Sequence, residues 1–116
     1  MQNDHNFSFS GGPAQFSGLM CWRADDNVFF DTGWALWSME MSDRQLEELC
    51  QFLEHTATTK KYTELKKKGN KCYIAFEEED EGRRNFCIID KNSYMVLTIL
   101  SENLAPLAKY LRSEIK

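Results

Sequence analysis

Residues 71–90 read KCYIAFEEEDEGRRNFCIID, and this stretch predicts an antiparallel β-hairpin. Residues 71–76 and 85–90 are rich in β-branched and aromatic side chains, which strands favour. The segment between them contains five adjacent carboxylates: Glu77, Glu78, Glu79, Asp80 and Glu81. Because adjacent like charges repel one another, this run must lie in water. The stretch therefore places a projecting negative turn at the tip of a hairpin.

The hairpin is followed by a further strand and a helix. Residues 93–100 are nearly all apolar, so they are predicted to form a central strand that is covered on both faces. A helix is predicted over residues 101–115, with Pro106 in its first turn, where proline costs least. Its apolar residues recur at helical spacing and form one stripe: Leu104, Leu107, Ala108, Leu111 and Ile115.

The first half of the chain has the same order of strands followed by a helix. Strand patterns occupy residues 15–22, 28–30 and 34–41, with turn-forming residues between them. Ser42 and Gln45 have the spacing of a capping box, which predicts that a helix begins at this point. This half is therefore predicted to be an antiparallel meander that leads into a capped helix.

A second helical segment is predicted after a break in the first helix. Residues 56–59 are weak helix formers and predict the break. Residues 60–68 follow and end in lysines that suit a helix C-terminus, and Gly69 is a natural stop signal. Tyr62 and Leu65 are then expected to face the core.

Together these patterns predict an α+β fold. The expected architecture is a single antiparallel β-sheet with two main helices packed on one face. A length of 116 residues suits a single domain over residues 1–116, with residues 1–14 as a loose N-terminal segment. The hydrophobic content of 42% is enough to fill a core without a metal or a disulfide.

The charge and the cysteine content narrow the function classes. The net charge of −4 opposes a general affinity for nucleic acid backbones and suits a basic protein partner. The first residues are polar and lack the apolar segment of a signal peptide, which predicts a cytoplasmic protein. The cysteines stand within apolar patterns and form no Cys-x-x-Cys pair, which favours buried, reduced thiols at Cys21, Cys50, Cys72 and Cys87.

Recognisable catalytic and metal-binding patterns are missing from the sequence. The only histidines are His5 and His55, and they do not have the spacing of a metal site. Residues 31–33 read Asp-Thr-Gly, as in aspartic proteases of the retroviral type, but Trp34 follows where that family has a small residue. The triplet is therefore interpreted as a tight turn. We predict a protein without enzymatic activity, without a metal and without a cofactor.

Two surfaces are predicted to bind a partner. The acidic run over residues 77–81 is the first, because complementary charge steers a basic protein toward it. The second is the tryptophan-bearing meander. Trp34 and Trp37 fall on opposite faces of their predicted strand, so one of them is expected to be exposed, and exposed tryptophan is frequent at binding hot spots.

In size, acidity, lack of a catalytic motif and order of strands and helices, the chain resembles the small intracellular immunity proteins that bacteria make against their own toxins. The resemblance implies a non-enzymatic inhibitor that covers the active site of a cognate toxin, often a basic nuclease. It also implies that residues 77–81 contact that toxin.

Two other function classes remain open. One is a small-ligand-binding or enzymatic domain with a pocket between the sheet and the helices. The other is a regulatory adaptor in which a lysine-rich patch over residues 60–71 contacts nucleic acid. The lysines of that patch are Lys60, Lys61, Lys66, Lys67, Lys68 and Lys71.

Overall fold

The described part of the chain contains two successive units, each of four strands and one α-helix. The computed structural model describes residues 14–16, 19–31, 36–66, 73–90 and 93–115. The first unit comprises β1 (Ala14–Phe16), β2 (Leu19–Ala24), β3 (Asn27–Asp31), β4 (Leu36–Glu40) and α1 (Asp43–Thr58). The second unit comprises β5 (Thr63–Lys66), β6 (Tyr73–Phe76), β7 (Arg83–Asp90), β8 (Ser93–Leu100), a short 3-10 helix (Ser101–Asn103) and α2 (Leu104–Ser113).

The α+β prediction is confirmed, but the strands do not form the single sheet that was predicted. Each set of four strands makes its own antiparallel sheet, with orders β1-β2-β3-β4 and β5-β6-β7-β8. The connections explain the division. Each strand pairs with its neighbour along the chain, whereas α1, with its 16 residues, carries the chain about 24 Å before β5 begins. No hydrogen-bonded ladder joins the two sheets among the described strands.

One hydrophobic core connects both sheets and both helices. The rings of Phe30 on β3 and Phe86 on β7 lie 5.4 Å apart and bridge the sheets. The rings of Phe52 on α1 and Phe76 on β6 lie 5.8 Å apart and join a helix to the second sheet. Helix α2 contributes its predicted stripe, of which four residues are fully buried: Leu104, Leu107, Ala108 and Leu111.

Helix α1 begins as the sequence predicts. The Ser42 hydroxyl accepts a hydrogen bond from the Gln45 amide at 3.2 Å, and the Gln45 side chain accepts one from the Ser42 amide at 2.9 Å. These two bonds are the reciprocal pair of a capping box. The helix ends at Thr58, within the segment predicted to break it. A local pattern was therefore sufficient to locate both ends of this helix.

The predicted helix over residues 60–68 is wrong, because a strand occupies part of this segment. Strand β5 pairs antiparallel with β6, with Thr63 opposite Phe76 and Leu65 opposite Ile74. Pairing with β6 outweighs the helix propensity of the lysines, which is a weak local preference. Tyr62, which was expected to face the core, is 51% exposed.

Strand β8 is not the central strand that its apolar sequence predicted. It is the last strand in the order of the second sheet, with β7 as its only neighbour among the described strands. Met95 and Ile99 face the core, whereas Tyr94 and Val96 on the opposite face are 67% and 42% exposed. The apolar run was interpreted as a sign of burial on both faces, but only one face is buried.

Candidate partner-binding surface at the acidic turn

The acidic run lies at a tight hairpin turn, as predicted. Asp80 and Arg83 exchange two main-chain hydrogen bonds of 2.9 and 3.0 Å. Between them Glu81 and Gly82 have φ angles of 53° and 77°. Two central residues with positive φ define a type I′ turn, whose twist matches that of the paired strands. Gly82 adopts this conformation without steric cost.

The five carboxylates are not equivalent. Glu78, Asp80 and Glu81 are exposed at the turn. Glu77 is also exposed, but its Oε1 accepts a hydrogen bond from Asn85 Nδ2 at 2.6 Å, which fixes the orientation of its carboxylate across the hairpin. Four of the acids are therefore exposed to solvent, and one of these four, Glu77, is held in place by a neighbouring strand.

Glu79 faces the protein instead of the solvent. Its side chain is 17% exposed, and its Oε1 lies 3.6 Å from Lys60 Nζ. Its amide donates a hydrogen bond to the Lys60 carbonyl at 2.8 Å. The Ser101 hydroxyl and the Lys60 ammonium lower the pKa of Glu79 below its ordinary value. Glu79 therefore attaches the turn to the segment that follows α1.

A buried arginine lies beneath the turn. Arg84 is 1% exposed and donates hydrogen bonds to main-chain carbonyls of three segments. Its Nε donates to Glu77 at 2.9 Å, its Nη1 to Thr56 at 3.0 Å and to Thr59 at 2.5 Å, and its Nη2 to Lys61. The guanidinium thus joins the end of α1, the loop after it and the base of the acidic turn. The turn projects from a base that is fixed at several points.

An open depression of about 370 Å³ adjoins the turn. Its walls contain four carboxylates and one guanidinium, together with two neutral polar side chains. The lining residues are Glu77, Glu78, Asp80, Glu81, Arg83, Asn85 and Thr98. Carboxylates accept strong hydrogen bonds from cationic donors, so the depression is complementary to an exposed lysine or arginine side chain.

The lysine-rich patch is partly neutralised where the structure describes it. Lys60 pairs with Glu79, and Lys66 lies 3.5 Å from a carboxylate oxygen of Glu64. Lys61 is exposed. The other lysines of the patch, Lys67, Lys68 and Lys71, lie outside the described residues. The described part of the patch is therefore mixed in charge and borders the acidic turn.

The two described tryptophans, Trp22 and Trp37, are packed in the fold, and the expectation that Trp34 or Trp37 forms an exposed anchor stays a prediction. Trp37 is partly buried against the core, and its ring lies 6.3 Å from that of Phe30. Trp34 lies outside the described residues. Trp22 is 6% exposed and stacks on Phe29 with a centroid distance of 5.1 Å and an angle of 7° between the rings. Both described tryptophans are therefore packed against other aromatic rings.

The described residues include no group of three or more His, Cys, Asp or Glu side chains that could hold a metal ion. His55 is exposed in the last turn of α1. The described cysteines, Cys21, Cys50 and Cys87, are buried and free, and Cys72 lies outside the described residues. Burial raises the pKa of Cys50 to about 11, so this thiol is protonated and unreactive at neutral pH.

The sequence analysis did not identify the residues that hydrogen-bond to the base of the acidic turn. The sequence pattern gave no role to Arg84 or Asn85 beyond the predicted strand, although both side chains hold the acidic turn. The available signal was the position of Arg84, which alternates with Phe86 and Ile88 toward the core. An arginine at an inward position of a strand requires acceptors, because a buried charge without partners is costly.

No model of a known protein family matches this sequence, and no curated protein matches it. Within the described residues, neither helix has the length and apolar character that a membrane span requires.

Proposed function

We propose that this protein is a non-enzymatic binding module whose acidic turn receives a basic protein partner. The observation that carries the proposal is the depression of about 370 Å³ with four carboxylates in its walls. A basic side chain of the partner enters this depression and forms charge-assisted hydrogen bonds with carboxylates such as Glu78 and Glu81.

The fixed base of the turn favours binding. Arg84 binds carbonyls from three segments, and Glu79 pairs with Lys60, so little freedom of the hairpin is lost when a partner docks. Association costs less free energy when the binding loop is ordered beforehand. The exposed carboxylates also raise the association rate of a positively charged partner, and this effect declines with salt.

We further propose that the partner is a toxin domain, and that this chain is its cytoplasmic immunity protein. A nuclease binds phosphates with basic side chains, because the nucleic acid backbone is its main source of electrostatic attraction. An acidic turn is complementary to the same basic side chains and excludes the substrate by covering them. In this proposal both helices cover the core-facing sides of the sheets, and the toxin binds the acidic turn.

Neutralisation of two exposed carboxylates tests the proposal. Glu78→Gln with Glu81→Gln removes two charges from the depression and leaves the hydrogen bonds of Glu77 and Glu79 in place. The matched control is Asp25→Asn with Glu48→Gln, two exposed acids at the β2–β3 turn and on α1. Both double variants have the same net charge, so a difference between them reports position and not total charge.

The measurement begins with affinity capture from the native host and identification of the retained protein by mass spectrometry. The purified partner is then assayed for nuclease or other toxic activity, with and without each variant, and association rates are measured at low and high salt. We expect the Glu78/Glu81 variant to associate more slowly at low salt and to inhibit less, while the control matches the wild type. Equal rates for both variants, or a partner whose activity is unaffected by binding, would contradict the proposal.

A further inference from the structure

The four edges of the two sheets are protected to different degrees. Three of the edge strands are short: β1 has three residues, β5 has four and β4 has five. Charge adds to this protection, because β5 contains Glu64 and Lys66 and β4 ends in Glu40. Short and charged edges are the usual means by which a sheet avoids pairing with another chain.

Among the described strands, the fourth edge lacks the protections of short length and charge. Strand β8 has eight residues, SYMVLTIL, without a charged residue, a proline or a glycine. At about 3.3 Å per residue it extends for about 26 Å. Its exposed face is also apolar in part, since Val96 is 42% exposed. A long, uncharged strand at the edge of a sheet is a template for a further strand.

The pairing with β7 fixes which main-chain groups of β8 point outward. Asp90 lies opposite Ser93 across a two-residue connection, and beyond the strand the Ser101 amide donates to the Gly82 carbonyl at 2.8 Å. In an antiparallel pair the residues that bond to the neighbour alternate along the strand. The main-chain N–H and C=O groups of the odd-numbered residues of β8 therefore bond to β7. The main-chain groups of Val96 and Thr98 point away from β7.

We propose that β8 pairs antiparallel with β8 of a second copy of this chain, about a two-fold axis at Val96. Two sheets of four strands would then join into one continuous sheet of eight, four from each copy. The outward positions of one strand would meet the outward positions of the other, with about six main-chain hydrogen bonds across the axis.

The strand is complementary to itself in this register. Val96 lies opposite Val96 of the second copy, and Tyr94 lies opposite Thr98, a pairing of aromatic and β-branched side chains that stabilises antiparallel sheets. The net charge of the chain restricts where two copies can meet. Two copies with a net charge of −4 each repel one another, so a contact along a strand that itself carries no carboxylate costs least, and β8 is such a strand.

The experiment measures the mass of the purified chain by sedimentation equilibrium from micromolar to millimolar concentration. We expect a monomer–dimer equilibrium for the wild type. Val96→Lys places two ammonium groups opposite each other at the axis and is expected to weaken the dimer by at least about tenfold. Lysine is well tolerated at an exposed edge, so the monomer remains folded. Val96→Thr keeps the β-branched shape and is expected to keep the dimer.

The matched control is Leu36→Lys, which adds the same charge to the edge of the other sheet, where Leu36 is 61% exposed. This variant is expected to dimerise like the wild type. Amide hydrogen exchange gives a second readout: protection of the Val96 and Thr98 amides should rise with chain concentration, while that of Met95, which faces β7, stays constant. A monomeric wild type at every concentration, a dimer that survives Val96→Lys, or a dimer lost with Leu36→Lys would overturn the proposal.

Discussion

The two units of the chain share an order of elements but differ in how each accommodates a buried arginine. Arg23 on β2 is 6% exposed and donates from Nη1 to Asp43 Oδ1 at 2.5 Å. It also donates to the carbonyls of Met41 at 2.9 Å and Glu114 at 3.0 Å. Arg84 on β7 is buried more deeply, and the acceptors of its described hydrogen bonds are all main-chain carbonyls.

The difference shows how the second unit supports its exposed turn. A carboxylate can balance a guanidinium directly, as Asp43 does for Arg23. A buried guanidinium without that balance needs several carbonyl dipoles, because the transfer of a charge out of water is costly. Burial lowers the pKa of Arg84, and the charge of Glu79 opposes that shift. By gathering several carbonyls around one side chain, the second unit fixes the segments that carry the acidic turn.

The largest effect is expected from Arg84→Met. This change removes the donor of four described hydrogen bonds and leaves buried carbonyls without partners. We expect the free energy of unfolding to fall by on the order of 4 kcal/mol, measured by chemical denaturation. Arg83→Met is the matched control, since Arg83 is the exposed neighbour, and its effect should stay within about 0.5 kcal/mol. Similar losses for both variants would show that Arg84 has no special role.

Arg23→Met should destabilise the protein less, by about 2 kcal/mol in the same measurement. The Asp43 side chain is 44% exposed, so water can solvate it when the arginine is gone. Asp43 also lies in the first turn of α1, where a carboxylate is favoured by the helix dipole. The control is Arg44→Met, an exposed arginine one residue further along that helix. If Arg23→Met proved as damaging as Arg84→Met, the contrast between the two arginines would be lost.

The parts of the fold that depend on neighbouring residues could be predicted from the sequence, and those that depend on distant pairing could not. The capping box at Ser42 and the hairpin around residues 77–81 are local patterns, and both are confirmed. The strand at β5 depends on its pairing with β6, and the edge position of β8 depends on strand order. Hydrophobic periodicity carries information about a face, but not about which strand lies beside it.

The candidate site divides in the same way. The exposed carboxylates at the turn follow from charge repulsion alone, which the sequence makes plain. The inward orientation of Glu79 could not be predicted, because it depends on Lys60 from a different segment. The packing of Trp37 against Phe30 likewise depends on how β4 lies in the first sheet.

A third arginine joins the helices of the two units at the surface. Its contribution to stability is smaller and depends on pH. Arg112 on α2 donates to Glu47 at 2.7 and 3.1 Å and to Glu54 at 2.5 and 3.0 Å, both on α1. Hydrogen bonds from Arg112 lower the pKa of both carboxyls. Their contribution to stability is therefore present above their ordinary pKa of 4.5 and is lost as the pH falls through the lowered values.

Thermal unfolding of Arg112→Gln tests this contribution. We expect its Tm to lie below that of the wild type at pH 7, with a difference that shrinks as the pH falls below 4.5, since protonated carboxyls no longer bind the guanidinium as ions. The difference should also decrease with added salt. Lys109→Gln removes an exposed positive charge from the same helix and should show neither trend. A difference in Tm that is independent of pH would mean that Arg112 acts through packing alone.

The smallest change in stability is expected at the acidic turn, where two neighbouring acids have different roles. Glu78 is exposed, whereas the Glu79 side chain is 17% exposed and pairs with Lys60. Glu79→Gln removes the charge that this pair requires and should lower Tm at neutral pH. Because the pKa of Glu79 is lowered in the folded protein, this decrease in Tm should vanish in acid. Glu78→Gln should leave Tm unchanged at neutral pH and slow partner association instead. Each variant changes one charge in adjacent positions, so Tm and association rate together assign Glu79 to the fold and Glu78 to binding. The reverse pattern, with Glu78→Gln lowering Tm and Glu79→Gln slowing association, would exchange these roles.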